Sequence, residues 1–279
     1  MPTLITDVDN TLLDWIEIWS ASFSAMFNEL SAFDLADEVD LKAQIKRIHQ
    51  SHGTSEYAYL LEELPALASK SADQKREIIS RSNRAWIDAR HDATRLYPEV
   101  KETLIELKSR GFRIIAFTES FGVYTAYRFR ECGLDGIVDL LYSPEDHFVS
   151  TSEFAALSHS HKDAHVLEDT ELRHTPAGVT KPSPDILRSI LAENGASAES
   201  AYYVGDNLMK DIAMAQEVGV PDFHAMYGHA QHRKEYELLK QVTHWPDQMV
   251  SLEEKTNLEK TVSPSYTLHE GFHELLGFL

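Results

Sequence analysis

Two carboxylates two residues apart follow directly on a short apolar run near the start of the chain: Thr3-Leu4-Ile5-Thr6-Asp7-Val8-Asp9-Asn10-Thr11-Leu12-Leu13-Asp14. In an extended strand, alternate side chains share a face. With Leu4 and Ile5 in a buried strand, Asp7 and Asp9 leave its C-terminal end toward a common space. Acids that close repel each other, and one resists ionising unless a cation sits between them. A hard divalent ion such as Mg2+ prefers such oxygen ligands. One carboxylate is then free to attack and the other to move a proton. Read alone, the stretch serves equally as a polar turn, with Asp9-Asn10-Thr11 capping the next helix.

The chain that follows has two textures. Residues 15–95 read as helical, with Trp15, Ile16, Ile18, Trp19, Phe23, Met26, Phe27 and Leu30 at three- and four-residue spacing. Further helical runs are expected at 40–49, 57–67 and 75–87, with a break at Ser51-His52-Gly53-Thr54. From Pro98 onward, short strands alternate with helices. Strands are expected at 113–118, 137–142, 201–205 and 222–226, and helices at 98–107, 122–130, 184–191 and 208–217. Such alternation predicts an α/β fold, a Rossmann-like doubly wound parallel sheet with right-handed crossovers. Its site lies at the C-terminal ends of the strands. The expected division is a core of 1–14 and 96–250, a helical insert of 15–95, and a tail of 251–279. The tail's apolar end docks on the core or on a second subunit, which leaves a homodimer open.

The segment 143–180 is long and lacks clear periodicity. It carries His147, His159, His161, His165 and His174, whose spacing matches no specific zinc pattern. It reads as a solvated, partly ordered loop.

Charge narrows the partners. With 43% hydrophobic residues a proper core is within reach, but the net charge is −19. So acidic a surface repels nucleic acid and anionic membranes, and any phosphorylated ligand needs a local cation or backbone dipoles. Cys132 is the only cysteine, so no intrachain disulfide forms, which fits a reducing compartment. No apolar run approaches a membrane span, and the sequence enters its first strand without a basic apolar leader. The expectation is a soluble cytoplasmic protein.

Polar residues recur where the expected strands end: Asp7 and Asp9, then Thr118, then Lys181 with Pro182, then Gly205-Asp206 with Asp211. Singly, each has an ordinary explanation as a cap or a surface lysine. Together they suit phosphoryl transfer, which needs a neutralised phosphate, an in-line nucleophile and a proton for the leaving alkoxide. Asp7 supplies a nucleophile able to carry phosphate, and Asp9 an acid and then a base. Asp7 and Asp206 can hold Mg2+. Lys181 adds positive charge, Thr118 binds phosphate oxygens, and Asp211 steadies a metal water or Lys181.

These four motifs, in this order, resemble the signatures of the haloacid dehalogenase-like hydrolase superfamily over residues 3–226. The resemblance implies that Asp7 is the nucleophile and Asp9 the acid/base, which also lends the metal its backbone carbonyl. It implies a metal set of Asp7, Asp9, Asp206 and Asp211. It also implies that residues 15–95 form a helical cap of the C1 subclass. An aspartate at position 9 implies a phosphatase or phosphotransferase, since the family's dehalogenases lack it. The expected activity is Mg2+-dependent hydrolysis of a small phosphorylated metabolite. The alternatives are a phosphotransferase or phosphomutase, or a non-catalytic binding protein of the same fold. Two departures stand out. Glu119 follows Thr118 where such phosphatases usually carry asparagine. The interval from Thr118 to Lys181 is also roughly thirty residues longer than is common, consistent with an insertion at about 146–175. Within the insert, Arg47 and His52 are candidates for reading the non-phosphate part of the substrate, and Glu119 joins Thr118 and Lys181 in the expected substrate set.

Overall fold

The structure, a computed structural model, describes residues 1–146, 165–248 and 262–279. It divides into two compact units: residues 1–14, 94–229 and 262–279 in one, and residues 15–93 and 230–261 in the other.

The first unit is a parallel sheet with helices. Its strands are β1 (Thr3–Thr6), β2 (Arg113–Phe117), β3 (Leu140–Ser143), β4 (Glu171–His174), β5 (Ala201–Gly205), β6 (Asp222–Ala225) and β7 (Tyr266–Leu268). They pair in the order β4-β3-β2-β1-β5-β6-β7. The α/β expectation holds. Strand β1 is fully buried along its length, as expected for a parallel strand covered on both faces. The chain fills one side of β1 with β2, β3 and β4, and only later the other with β5, β6 and β7. The order therefore reverses at β1, the point where open α/β sheets leave a crevice at their C-terminal ends. Val100–Ser109 (α4), Gly122–Cys132 (α5), Pro184–Glu193 (α6) and Ala213–Val218 (α7) accompany the strands. In α6, Ile186, Leu187, Ile190 and Leu191 form one apolar face and pack with Ile5, Ile115, Phe117 and Tyr203.

Two strands depart from the sequence reading. β4 lies within the segment read as a loop, and β7 within the tail. β4 sits on the sheet edge with three of its four residues exposed, so no apolar alternation marks it. β7 is held by Asp222, whose carboxylate accepts the Ser265 N–H at 2.8 Å and its hydroxyl at 2.6 Å. Phe223 stacks on Tyr266, and Phe278 meets both rings. The described part of the tail thus docks on the sheet unit. His147, His159 and His161 lie outside the described residues.

The second unit is helical: α1 (Trp15–Ser31), α2 (Glu38–His52), α3 (Ala72–Ala93) and α8 (Lys234–Val242). Along α1, Trp15, Trp19, Phe23 and Phe27 stack in succession, one helical turn apart. Asp37 caps the start of α2 through the Asp40 N–H, and Gly53 ends it in the left-handed region. The expected helix at 57–67 is instead a run of turns and one short 3-10 turn, Pro65–Leu67. Pro65 has no N–H to continue a helix and fits only a first turn. Residues 230–250 were expected in the core. Instead α8 buries Tyr236, Leu239 and Val242 among Trp19, Phe23 and Ile45 of the helical unit. Among the described residues no helix is long and apolar enough to cross a membrane.

Candidate active site

Asp7 stands at the C-terminal end of β1, where its N–H donates to Val204 O at 2.8 Å. Its carboxylate is buried. Oδ1 accepts from Lys181 Nζ at 2.6 Å, and Oδ2 from the Thr11 hydroxyl at 3.2 Å. The same ammonium reaches Asp211 Oδ1 at 2.9 Å, and it faces the rings of Phe117 and Tyr203. Burial opposes the Lys181 charge, but Asp211 and Asp7 outweigh it and hold the ammonium well above its ordinary range. For Asp7 the balance is reversed. Burial and the Asp211 charge raise it against the pull of Lys181, and the carboxyl is pushed up to about 7.

Asp211 is delivered by a wide π-helical turn, Leu208–Ile212. Asn207 starts the turn, its side-chain oxygen accepting the N–H groups of Met209 and Lys210. Asp211 also accepts the Tyr203 hydroxyl at 2.8 Å and the Asn207 N–H at 3.2 Å. Gly205 makes room for this: a Cβ there would lie 2.4 Å from Asp211 Cγ.

Asp206 follows β5 and completes a group of three. One carboxylate oxygen from each of Asp7, Asp206 and Asp211 lies within 4.8 Å of the others. Burial, then Asp7 and Asp211, raise the Asp206 carboxyl well above its ordinary range. Three carboxyl groups gathered this closely resist ionising together unless a cation joins them, and every donor is a hard oxygen. That donor set fits a divalent cation of the Mg2+ type. Asp206 O accepts from His224 Nε2 at 3.0 Å, which fixes the loop beneath it.

Asp9 is turned to a different partner. Its Oδ1 accepts from Arg128 Nη1 at 3.0 Å and its Oδ2 from the Ser120 hydroxyl. Its carboxylate is not one of the three that converge, though its charge adds to the rise of Asp7. Thr118 is buried at the end of β2 and takes the Ser120 N–H at 3.1 Å, and its oxygen can still donate its own proton.

Glu119 binds through both oxygens. Oε1 accepts the Lys181 backbone N–H at 3.0 Å, and Oε2 the Lys210 ammonium at 2.7 Å. Arg47 and His52 belong to the helical unit. Arg47 is exposed on α2. His52 stacks on Tyr57 at 3.6 Å and reaches Glu63 at 2.9 Å.

Sequence reasoning missed Arg128, Ser120, Tyr203, Asn207, Lys210 and His224. Arg128 left one signal, a cation between Tyr127 and Phe129 in the helix expected at 122–130. It also missed how Asn10 is held. A Cβ on Gly228 would lie 1.6 Å from Asn10 O, and the Tyr227 hydroxyl donates to Thr11 O at 2.6 Å.

A family model for haloacid dehalogenase-like hydrolases matches residues 1–219. A relative from Methanopyrus kandleri, named glyceraldehyde 3-phosphate phosphatase, is 24% identical over 224 residues, covering 78% of this chain and 80% of its own. Among solved structures, a 2-haloacid dehalogenase from Pseudomonas syringae pv. Tomato matches with a TM-score of 0.54 at 19% identity, covering 99% of this chain and 97% of that one. A putative HAD-hydrolase from Bacillus subtilis, solved bound to magnesium, matches with a TM-score of 0.52 at 16% identity, covering 100% and 98%. At these identities the solved structures speak to the fold.

Proposed function

The chain belongs to the haloacid dehalogenase-like hydrolase family, and we propose that it is a Mg2+-dependent phosphatase for a small phosphorylated metabolite. The observation that carries this reading is Asp7 held by Lys181 beside Asp206 and Asp211, with Asp9 two residues on. The phosphatase name of the Methanopyrus kandleri relative supports the same class. The charge of −19 favours a small soluble substrate over nucleic acid or a membrane, and a cytoplasmic setting suits such a substrate.

Asp7 attacks phosphorus through a carboxylate oxygen and forms an aspartyl-phosphate as the alkoxide leaves. Asp9 gives that alkoxide its proton, then takes one from the water that hydrolyses the intermediate. Thr118 donates to a phosphate oxygen. Lys181 keeps Asp7 and Asp211 in place and lowers the repulsion between carboxylate and phosphate. Asp7, Asp206 and Asp211, with the Asp9 backbone carbonyl, would hold Mg2+, which when bound screens the phosphate from its attacker. Residues 15–95 would act as a cap of the C1 type that excludes water, with Arg47 and His52 reading the substrate's remainder. Alanine at both positions with unchanged kinetics across preferred substrates removes that role.

The test is hydrolysis of p-nitrophenyl phosphate with and without Mg2+. The wild-type protein should release phosphate only with the ion, and Asp7→Asn should abolish release. Isomer formation from a sugar phosphate without net phosphate release would point instead to a phosphomutase.

A further inference from the structure

Arg128 is 2% exposed and sits on α5 among Val123, Tyr124, Ala126 and Phe129, all buried. A guanidinium in such a place is costly to desolvate, so its partners bear on its purpose. It reaches Asp9 Oδ1 at 3.0 Å, and the same nitrogen reaches Ser120 Oγ at 3.3 Å. The Ser120 hydroxyl in turn donates to Asp9 Oδ2. The two oxygens of Asp9 are therefore unlike. One accepts from a buried cation on a helix; the other meets a small rotatable hydroxyl on a loop.

We propose that Arg128 is a positioning residue for Asp9: it anchors Oδ1, so that Oδ2 is the oxygen that exchanges Ser120 for the substrate's leaving group. The inference rests on the acid/base role given to Asp9 above. Ser120 is the partner that can yield, because a hydroxyl turns about one bond while the Arg128 guanidinium is enclosed, 2% exposed. With Oδ1 anchored, the reach of Oδ2 is set by the fold and not by a free rotamer, and catalytic proton transfer depends steeply on such placement.

The experiment compares kcat/KM for ethyl phosphate and p-nitrophenyl phosphate, with Mg2+ present. Ethoxide needs a proton to leave and p-nitrophenolate does not, so only the first reads the acid. Arg128→Met should lower kcat/KM for ethyl phosphate on the order of 10- to 100-fold and for p-nitrophenyl phosphate less than about threefold. Asp9→Asn should show the same selectivity, and the double variant should fall no further than Asp9→Asn. Arg128→Lys, which keeps the charge but not the fork, should show a smaller loss of the same kind, and it serves alone if the methionine variant does not fold. Equal losses on both esters, or losses that multiply in the double variant, overturn the inference. Arg128 variants that behave as wild type beside a selective Asp9→Asn overturn it while leaving the phosphatase reading intact. A wild-type protein that hydrolyses neither ester overturns that reading, and this inference with it.

Discussion

Glu119 and Lys210 form an ion pair of 2.7 Å, and the other Glu119 oxygen takes the backbone N–H of Lys181 at 3.0 Å. One side chain thus joins the loop after β2, the loop that carries Lys181 and the turn that carries Asp211. A carboxylate beside a phosphate site would repel the phosphate if it stood alone. Here Lys210 balances its charge, and both oxygens are engaged.

Glu119→Ala should therefore act on stability and catalysis together. It leaves the Lys181 N–H without its acceptor, a loss of about 1–3 kcal/mol for a buried group. It also frees the loop that aims the Lys181 ammonium. Glu119→Gln keeps a carbonyl oxygen for that N–H and loses only the partly exposed ion pair, roughly 0–1 kcal/mol. Urea midpoints and kcat/KM should rank wild type, Gln, Ala in both measurements. Equal behaviour of the two variants would show that the N–H bond contributes nothing.

Mg2+ should stabilise the protein through the three-carboxylate group. At a hundred times the dissociation constant the gain is about 2.7 kcal/mol, which for a chain of this size raises Tm by roughly 5–10 °C. Asp206→Asn removes one ligand and should abolish most of the shift. With Asp7 pushed up to about 7 by burial and by Asp211, the group carries protons near neutrality, and the ion must displace them. Titration of weakly buffered protein at pH 6.5 with MgCl2 should lower the pH. A Tm rise retained in Asp206→Asn would place the ion elsewhere.

The candidate site was legible because its polar residues sit where apolar strands end. Asp7, Thr118, Asp206 and Lys181 are polar interruptions of strands or of their loops, and a parallel sheet gathers strand ends at one rim. The supporting residues were hidden for the opposite reason. Tyr203 lies inside β5 and Arg128 inside α5, where the pattern says only that the segment is buried. Nothing local shows that the Tyr203 hydroxyl meets Asp211, eight residues on through a tight turn. β4 and β7 escaped because edge strands lack the apolar signature of central ones. α8 escaped because its face, Tyr236, Leu239 and Val242, finds its partners about two hundred residues earlier in the chain.

Gly205→Ala should damage the site without replacing any ionisable group. The new methyl would fall 2.4 Å from Asp211 Cγ and 2.6 Å from its Cβ, well inside contact distance. Asp211 is fixed by Lys181, Tyr203 and the Asn207 N–H, so it has little room to retreat. The expected cost is about 1–3 kcal/mol of overpacking strain, with a fall in activity because the displaced carboxylate carries Lys181 with it. Denaturant unfolding and Mg2+ affinity check both parts. Unchanged Mg2+ affinity would mean that Asp211 does not report to the cation.

His49 should make the helical unit acid-sensitive. Its ring is 1% exposed on α2, and Nδ1 lies 2.6 Å from Val242 O at the end of α8. Burial lowers it from an ordinary 6.5 to about 4, against the raising effects of the Val242 carbonyl and Glu56; His52 adds to the lowering. The folded state thus binds the proton less tightly than the unfolded one. The stabilising contribution is fully present above pH 6.5 and is lost as the pH falls toward 4, about 2 kcal/mol by pH 5 and about 3 kcal/mol by pH 4. All four tryptophans, Trp15, Trp19, Trp86 and Trp245, lie in this unit, so their fluorescence follows its unfolding in urea. The wild-type midpoint should drop between pH 7.5 and 5. His49→Gln, whose amide can still donate to Val242 O but does not titrate in this range, should start lower and drop less. Parallel midpoints for the two proteins across that interval would remove His49 as the source of the acid sensitivity.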